Sequence, residues 1–523
     1  MSDLVAISEE LKRIKEFAKE NKRVFLYGAG NIAKAVLDVL ENEGIFPDGV
    51  IVSESNNESI RDIPVYEVTA VQEWIKEEDG VILSFTGAKE SEIGIKFNKC
   101  KPNFLEINHM AILALDDNIR FRPVIDEAKK KFGICHPWEN LTDSSNLLIV
   151  RLDMIGDFVF TTPFLRELRR NFPKSKITIV IRRQNYLLAK DCPYIDKLLL
   201  YDCQFIEGEL SRQAEKRDEA EKRARDFADK HFKNESFDCV FFTRELLQGR
   251  NVLDEFYLGL YSGARIRIGR QIILSDAYEE NLYRLVDGIF SFVSRHAEPM
   301  HEAEYTLQIL RDLGLSVEDD SMELWLDEEV RIFAKEKLQR IENKDSIKLI
   351  ALGLVASVPQ RTWSPGNYVK LIEETLKIKD KNYAFVLVGG SDSENAANYI
   401  LKNLDGELTK KVIDMTGMSN LLQTEALVNE CDMYIGSNTG LLHIASAFKK
   451  PSITIYGELE DGNLTDGDSP FRMGAWRVQH VDLVPPAGLD GCHGVCRMHF
   501  SHCIEQIEAK DVINALNELD NQD

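Results

Sequence analysis

Short apolar runs rich in Val, Ile, Leu and Phe recur along this chain with helix-length stretches between them, and this alternation limits the fold more than any other feature. A strand–helix–strand rhythm is the mark of parallel sheets joined by crossover helices. It repeats in three blocks. In the first, residues 24–27, 49–53, 81–84 and 104–107 read as strands. In the second, 147–152, 177–181 and 237–243 do. In the third, 347–352, 384–388, 433–436 and 452–456 do. A length of 523 residues suits several such domains rather than one.

Helix signals fill the gaps. Thr162 before Pro163 predicts a helix over 163–171, since Thr caps and Pro suits the first helical position. Gly314 predicts the end of a helix over 302–313. Residues 421–430, 440–448 and 508–519 also read as helices, and the nearly all-charged 207–233 as a solvated one. The polar stretch 116–145, with Pro123 and Pro137, reads as a linker with a short helix, and 457–490 as a loop.

The net charge of −23, from 87 acids against 64 bases, disfavours nucleic acid and anionic lipid as partners. No apolar stretch approaches the ~20 residues that span a bilayer. Leu4, Ile7, Leu11, Ile14 and Phe17 recur at helical spacing, so the N-terminus reads as an amphipathic helix and not a secretory signal. These features, with mostly scattered cysteines, point to a cytoplasmic chain with at most peripheral membrane association.

Ligands of open α/β sheets sit beyond the C-terminal strand ends, so the loops there hold the candidates. After the 147–152 strand comes Asp153-Met154-Ile155-Gly156-Asp157. The Asp157 carboxylate, read locally, suits a helix cap first and a general base second. After 347–352, Arg361 suits a diphosphate and also an ordinary surface position beside Trp363. Gly389-Gly390 allows close backbone approach, and Glu394 can accept from ribose hydroxyls; a plain turn has the same residues. In Gly436-Ser437-Asn438-Thr439-Gly440 a strand runs into a helix whose first amides lack partners, which makes an anion site. His443 lies a turn further on, as a ligand contact or a buried histidine.

Taken together, LLIVRLDMIGDFVFTTPFLRELRRNFPKSKITIVIR, HEAEYTLQILRDLGL, the RTW segment, LVGGSDSE and YIGSNTGLLHIASAFKKPSITIYG resemble glycosyltransferase family 9, the ADP-heptose:lipopolysaccharide heptosyltransferase group, over residues 146–518. The resemblance implies an α/β GT-B fold, two facing Rossmann-like domains, here preceded by a small Rossmann-like domain. It divides the chain into an accessory domain and linker (1–135), an acceptor domain (146–340), a nucleotide-sugar donor domain (346–490) and a Cys-containing tail with a helix (491–523). It implies inverting transfer from a nucleotide-diphosphate sugar, such as ADP-heptose, to a surface-glycan or lipopolysaccharide hydroxyl, with no metal and no further cofactor. Asp157 falls on the family's base, and Arg361 on its usual phosphate-binding Lys. Thr439 and Gly440 fall on the diphosphate helix start, Glu394 on the ribose acid, Met418 beside the nucleobase and His443 near the donor. Asn438 departs from the family, which often has Asp there on donor-sugar hydroxyls. Asn keeps an acceptor but loses the charge, which leaves the sugar open.

Block one carries Gly28-x-Gly30-x-x-Ala33 between a strand and a helix, with Glu54 where a ribose-binding acid would sit. It resembles small Rossmann-like domains attached to sugar-modifying enzymes. A redox or epimerase role for it is one alternative, and a non-catalytic nucleotide-sugar-binding chain is another. Near the C-terminus Cys492, Cys496 and Cys503 interleave with His493, His499 and His502. The spacing matches no standard zinc motif, and reduced thiols or a disulfide fit it better than an ion.

Overall fold

The computed structural model describes residues 2–29, 31–53, 59–60, 63–84, 90–97, 99–133, 135–203, 214–246, 252–272, 286–341, 346–379, 381–460, 462, 464, 469–489, 492, 496, 498 and 500–521. Three six-stranded sheets follow one another along the chain. The first holds β1 (Val24–Tyr27), β2 (Gly49–Val52), β3 (Ser59–Ile60), β4 (Ile63–Glu67), β5 (Gly80–Leu83) and β6 (Asn103–Glu106), in the order β3-β4-β2-β1-β5-β6. The second holds β7 (Leu147–Arg151), β8 (Ile177–Arg182), β9 (Lys197–Tyr201), β10 (Cys239–Glu245), β11 (Ile266–Ile272) and β12 (Phe292–His296), ordered β12-β11-β10-β7-β8-β9. The third holds β13 (Lys348–Gly353), β14 (Tyr383–Val388), β15 (Val412–Asp414), β16 (Met433–Ser437), β17 (Ser452–Ile455) and β18 (His480–Leu483), ordered β15-β14-β13-β16-β17-β18. Within the second and third sheets the neighbouring strands are parallel.

Both of those sheets are doubly wound, and the strand order reverses between β7 and β10 and between β13 and β16. Crevices for ligands open at such switch points. Strands β7 and β14 bury every residue, because a parallel sheet covered on both faces needs apolar side chains on both. One hydrophobic core runs through both domains: Ile149, Phe164 and Leu307 belong to the same cluster as Ala351, Leu442 and Ile444. The two sheets are therefore packed as one body, with the β7 and β16 ends brought near each other.

Three expectations need correction. The helix that follows β7 spans Ile155–Asn171, so it begins well before Pro163 and Thr162 does not cap it. A proline inside a helix frees a carbonyl. Here Thr162 Oγ1 donates to Val159 O at 2.9 Å and satisfies it, which is why the helix runs through. The presumed linker contains a long helix, His109–Phe132, with Pro123 inside it. Its Ile112 packs under the first sheet, whereas Phe121, Val124, Ile125 and Ala128 pack under the second, so it fastens the two together. The presumed loop 457–490 contains β18. The last helix, Ala509–Asp520, buries Val512 and Leu516 in the third sheet's core.

Gly314 has the expected left-handed backbone after the Glu302–Asp312 helix. Among the described residues no helix is long and apolar enough to cross a membrane.

Candidate active site

The site begins with a buried cation. Arg151, the last residue of β7, is fully buried. A guanidinium out of water needs acceptors around it. Its Nη1 donates to Thr243 O at 2.7 Å; its Nε lies 3.3 Å from Asp153, and its Nη2 3.6 Å from Asp157 and 3.5 Å from Glu302.

Asp157 occupies the first turn of the Ile155–Asn171 helix and accepts the Met154 N–H at 3.1 Å. The cap reading thus holds locally, and the other oxygen faces Arg151. Its side chain is 21% exposed, so a ligand can reach it. Burial and the neighbouring Asp153 push its pKa up to about 6, against the pull of Arg151. A carboxylate tuned towards neutrality is what general-base work at physiological pH requires.

Opposite this helix start lies another. A Cβ on Gly156 would stand 2.4 Å from His443 Cδ2, and one on Gly440 would stand 2.9 Å from Ile155 Cγ2. The beginnings of the Ile155–Asn171 and Gly440–Ala447 helices therefore touch, with Ile155 and Gly156, just before Asp157, set against Gly440. Thr439 is the cap residue, half-buried, with no side-chain bond to the helix amides. Those first amides lack intrahelical partners and suit a phosphate. Asn438 beside them is buried. His443 is also buried, 4.3 Å from the Phe160 ring, and burial holds it neutral with a pKa of about 3. It shapes the contact with Gly156 from inside the protein.

The other donor-side candidates line up along the ends of neighbouring strands. Arg361, beyond β13, is half-buried in the short turn Pro359–Arg361 and donates to Ser357 Oγ at 3.1 Å. Gly457 lets the chain pass close to it: a Cβ there would meet Gln360 O at 2.7 Å. Gly390 and Glu394 are exposed beyond β14, and Met418 is 65% exposed beyond β15. Gly417, in the left-handed region, leaves room for the Glu394 carboxylate, whose Oε1 would be 2.1 Å from a Cβ at that position. In the first sheet Gly28 follows β1 with a φ of 114°, as a tight turn requires. Gly30 and Glu54 lie outside the described residues, as do His493 and His499.

Sequence reasoning missed the charge cluster behind Asp157. Glu302 is buried against Arg270 and Arg151, and accepts from Arg472 at 3.1 Å. Burial alone would raise its pKa, but the arginines outweigh burial and hold it at about 2. Glu245, 3.8 Å from Arg472, goes the other way: burial lifts it to about 7. Arg472 follows the third sheet's β17 in the chain, whereas Glu302 opens a helix packed on the second sheet. The pair therefore ties the two domains beside the base. His301 ties them again, its Nε2 on Gly474 O at 3.0 Å and its ring stacked on Trp476 at 4.3 Å. Nearby, a cavity of about 1050 Å³ opens between Met300, Glu304, Leu459, Trp476 and His480. Arg151 and Glu302 lay within the strings LLIVRLDMIGD and HEAEYTLQ, but nothing in either string said that they meet.

Residues 291–467 match the family model of glycosyltransferase family 9 (heptosyltransferase). Over that segment the chain resembles this family of glycosyltransferases. The chain aligns with a conjectured glycosyltransferase of Haemophilus influenzae at 24% identity over 362 residues, 65% of this chain and 90% of that one. It is 30% identical over 149 residues to lipooligosaccharide heptosyltransferase 2 of the same organism, 25% of this chain and 42% of the relative. The solved family 9 glycosyl transferase of Veillonella parvula superposes with a TM-score of 0.55 at 18% identity, covering 73% of this chain and 100% of that one. This likeness shows the fold alone: the GT-B architecture of two facing Rossmann-like domains, with a further Rossmann-like sheet before them.

Proposed function

We propose that this chain moves a sugar, a heptose by its relatives' names, from a nucleoside diphosphate donor to a hydroxyl of a surface-glycan or lipopolysaccharide acceptor. Transfer inverts the anomeric carbon and uses no metal in the chemical step. In this proposal residues 146–340 serve the acceptor, 346–490 the donor, and 1–135 form an accessory domain. The reaction runs in the cytoplasm, with at most peripheral membrane contact.

The observation that carries the proposal is the contact of Ile155 and Gly156, the residues just before Asp157, with the open start of the Gly440–Ala447 helix. A base on one side and a phosphate cradle on the other fit a single in-line displacement. Asp157 takes the acceptor O–H proton as the oxygen attacks the anomeric carbon. The bond from that carbon to the diphosphate oxygen breaks, and the nucleoside diphosphate leaves with its electron pair. Arg361 and the amides of 439–440 stabilise the charge that develops there. Glu394 serves the ribose, Gly390 lets it approach, and Met418 covers the nucleobase. Asn438 faces the sugar, and His443 fixes the helix start.

A thermal-shift screen of nucleotide sugars tests this. A donor at 100 times its dissociation constant stabilises the protein by about 2.7 kcal/mol. ADP-heptose shifting the full chain more than UDP- and GDP-sugars is the expected result. No shift with any nucleoside diphosphate sugar would contradict the proposal.

A further inference from the structure

The segment between β18 and the last helix has little regular structure among its described residues, yet it brings together four soft ligand atoms. Sγ of Cys492, Cys496 and Cys503 lie 4.0, 3.5 and 3.3 Å from Nδ1 of His502. All four ligand atoms lie within 4.8 Å of one another. In a tetrahedral site with thiolate bonds of about 2.3 Å and an imidazole bond of about 2.0–2.1 Å, the sulfur-to-nitrogen edges come to about 3.5 Å. The observed spacings bracket that value. The three thiols are all buried, in a small cluster of their own with Leu459. Three thiols around one imidazole cannot all be paired as disulfides, and all three are free. The Leu489 N–H points at Cys503 Sγ from 3.5 Å, the kind of outer contact that steadies a ligating thiolate.

The same segment grips the donor loop. Ser501 Oγ donates to Thr362 O at 2.6 Å. Glu505 accepts the Ser364 N–H at 2.9 Å, the Ser364 hydroxyl at 2.8 Å and the Asn367 amide at 3.0 Å. The Trp363 indole donates to Ile507 O at 2.8 Å. Every one of these partners lies within a few residues of His502 and Cys503 on one side and of Arg361 on the other.

We propose that Cys492, Cys496, His502 and Cys503 hold one thiolate-preferring transition ion, zinc or iron, and that this knot positions the loop carrying Arg361. Tetrahedral thiolate-rich donor sets select these two metals. The ion takes no part in bond making; it gives a segment with little regular structure among its described residues a fixed shape. The positioning half of the proposal rests on Arg361 serving the donor phosphates.

The test uses the untagged full chain. Elemental analysis is expected to find one zinc or one iron per chain, and either supports the proposal. Metal far below one per chain, both as purified and after incubation with each ion, overturns it. Cobalt(II) added to the stripped chain is expected to give the visible bands of a tetrahedral thiolate site, and Cys496→Ser to abolish them. Stripping wild type with a chelator is expected to weaken ADP binding and raise the donor KM about tenfold. The kcat and the pH profile should stay in place, and re-adding metal should restore affinity without any risk of a misfolded variant. Unchanged nucleotide affinity on loss of a bound ion overturns the positioning role. Arg361→Ala with metal retained separates the two layers. If it leaves ADP affinity unchanged, the donor-site assignment and the positioning claim fall, while the metal count stands by itself.

Discussion

Gly156 and His443 meet where the two domains touch: a Cβ at 156 would stand 2.4 Å from the imidazole Cδ2, closer than real side chains come. The residue after Gly156 is Asp157, so any side chain at 156 moves the base or the Gly440–Ala447 helix. Gly156→Ala is expected to destabilise the protein by about 1–3 kcal/mol. It should also lower kcat about 100-fold, since a shift near 1 Å in a reacting group costs that much. Chemical denaturation and steady-state kinetics check both; a variant with native kcat contradicts the contact.

The pKa of about 6 at Asp157 gives the activity a direction with pH. A base must be ionised, so kcat/KM should rise with pH through about 6 and level off above 7. A profile flat between pH 5 and 8 would show that no such group controls the rate.

Glu302 adds to that rise from behind, after burial and Asp153. Its charge raises Asp157, whereas Arg151 lowers it. With Glu302→Gln, Arg151 acts on Asp157 with less competition, so the acid limb of the profile should move to lower pH. The variant also leaves Arg270 and Arg472 short of a buried counter-charge, a loss of about 3–5 kcal/mol. Denaturant midpoints and a pH–rate profile read the two effects separately.

The same base weakens the fold. An acid raised above its unfolded value disfavours folding when ionised, so the penalty is absent below about pH 4 and complete above the folded pKa of about 6. Asp157→Asn is therefore expected to stabilise the protein by on the order of 2 kcal/mol at pH 8 and by little at pH 4. Melting temperatures of both proteins at both pH values decide this.

Much of this was legible in the sequence. The strands announce themselves as unbroken apolar runs because both sheet faces are covered, and the loops after β7, β13, β14 and β16 carry the Asp, Arg, Gly and Thr on which the proposed diphosphate cleft rests. Proline rules misled twice. Thr162 rescues the carbonyl that Pro163 frees, and Pro123 sits in a helix whose apolar face is buried under two sheets. The cluster of Arg151, Glu302, Arg270 and Arg472 was hidden because its members come from four separate stretches and meet only in the folded chain. The thiol cluster was visible as spacing, but the choice of His502 among three histidines needed the coordinates.

The most direct test of Asp157 as the base is Asp157→Asn, which keeps the shape and removes the proton acceptor. The expected result is a fall in kcat of about 10²–10⁴ with the nucleoside diphosphate dissociation constant essentially unchanged. Turnover at the native rate, or loss of nucleotide binding along with activity, would contradict the assignment.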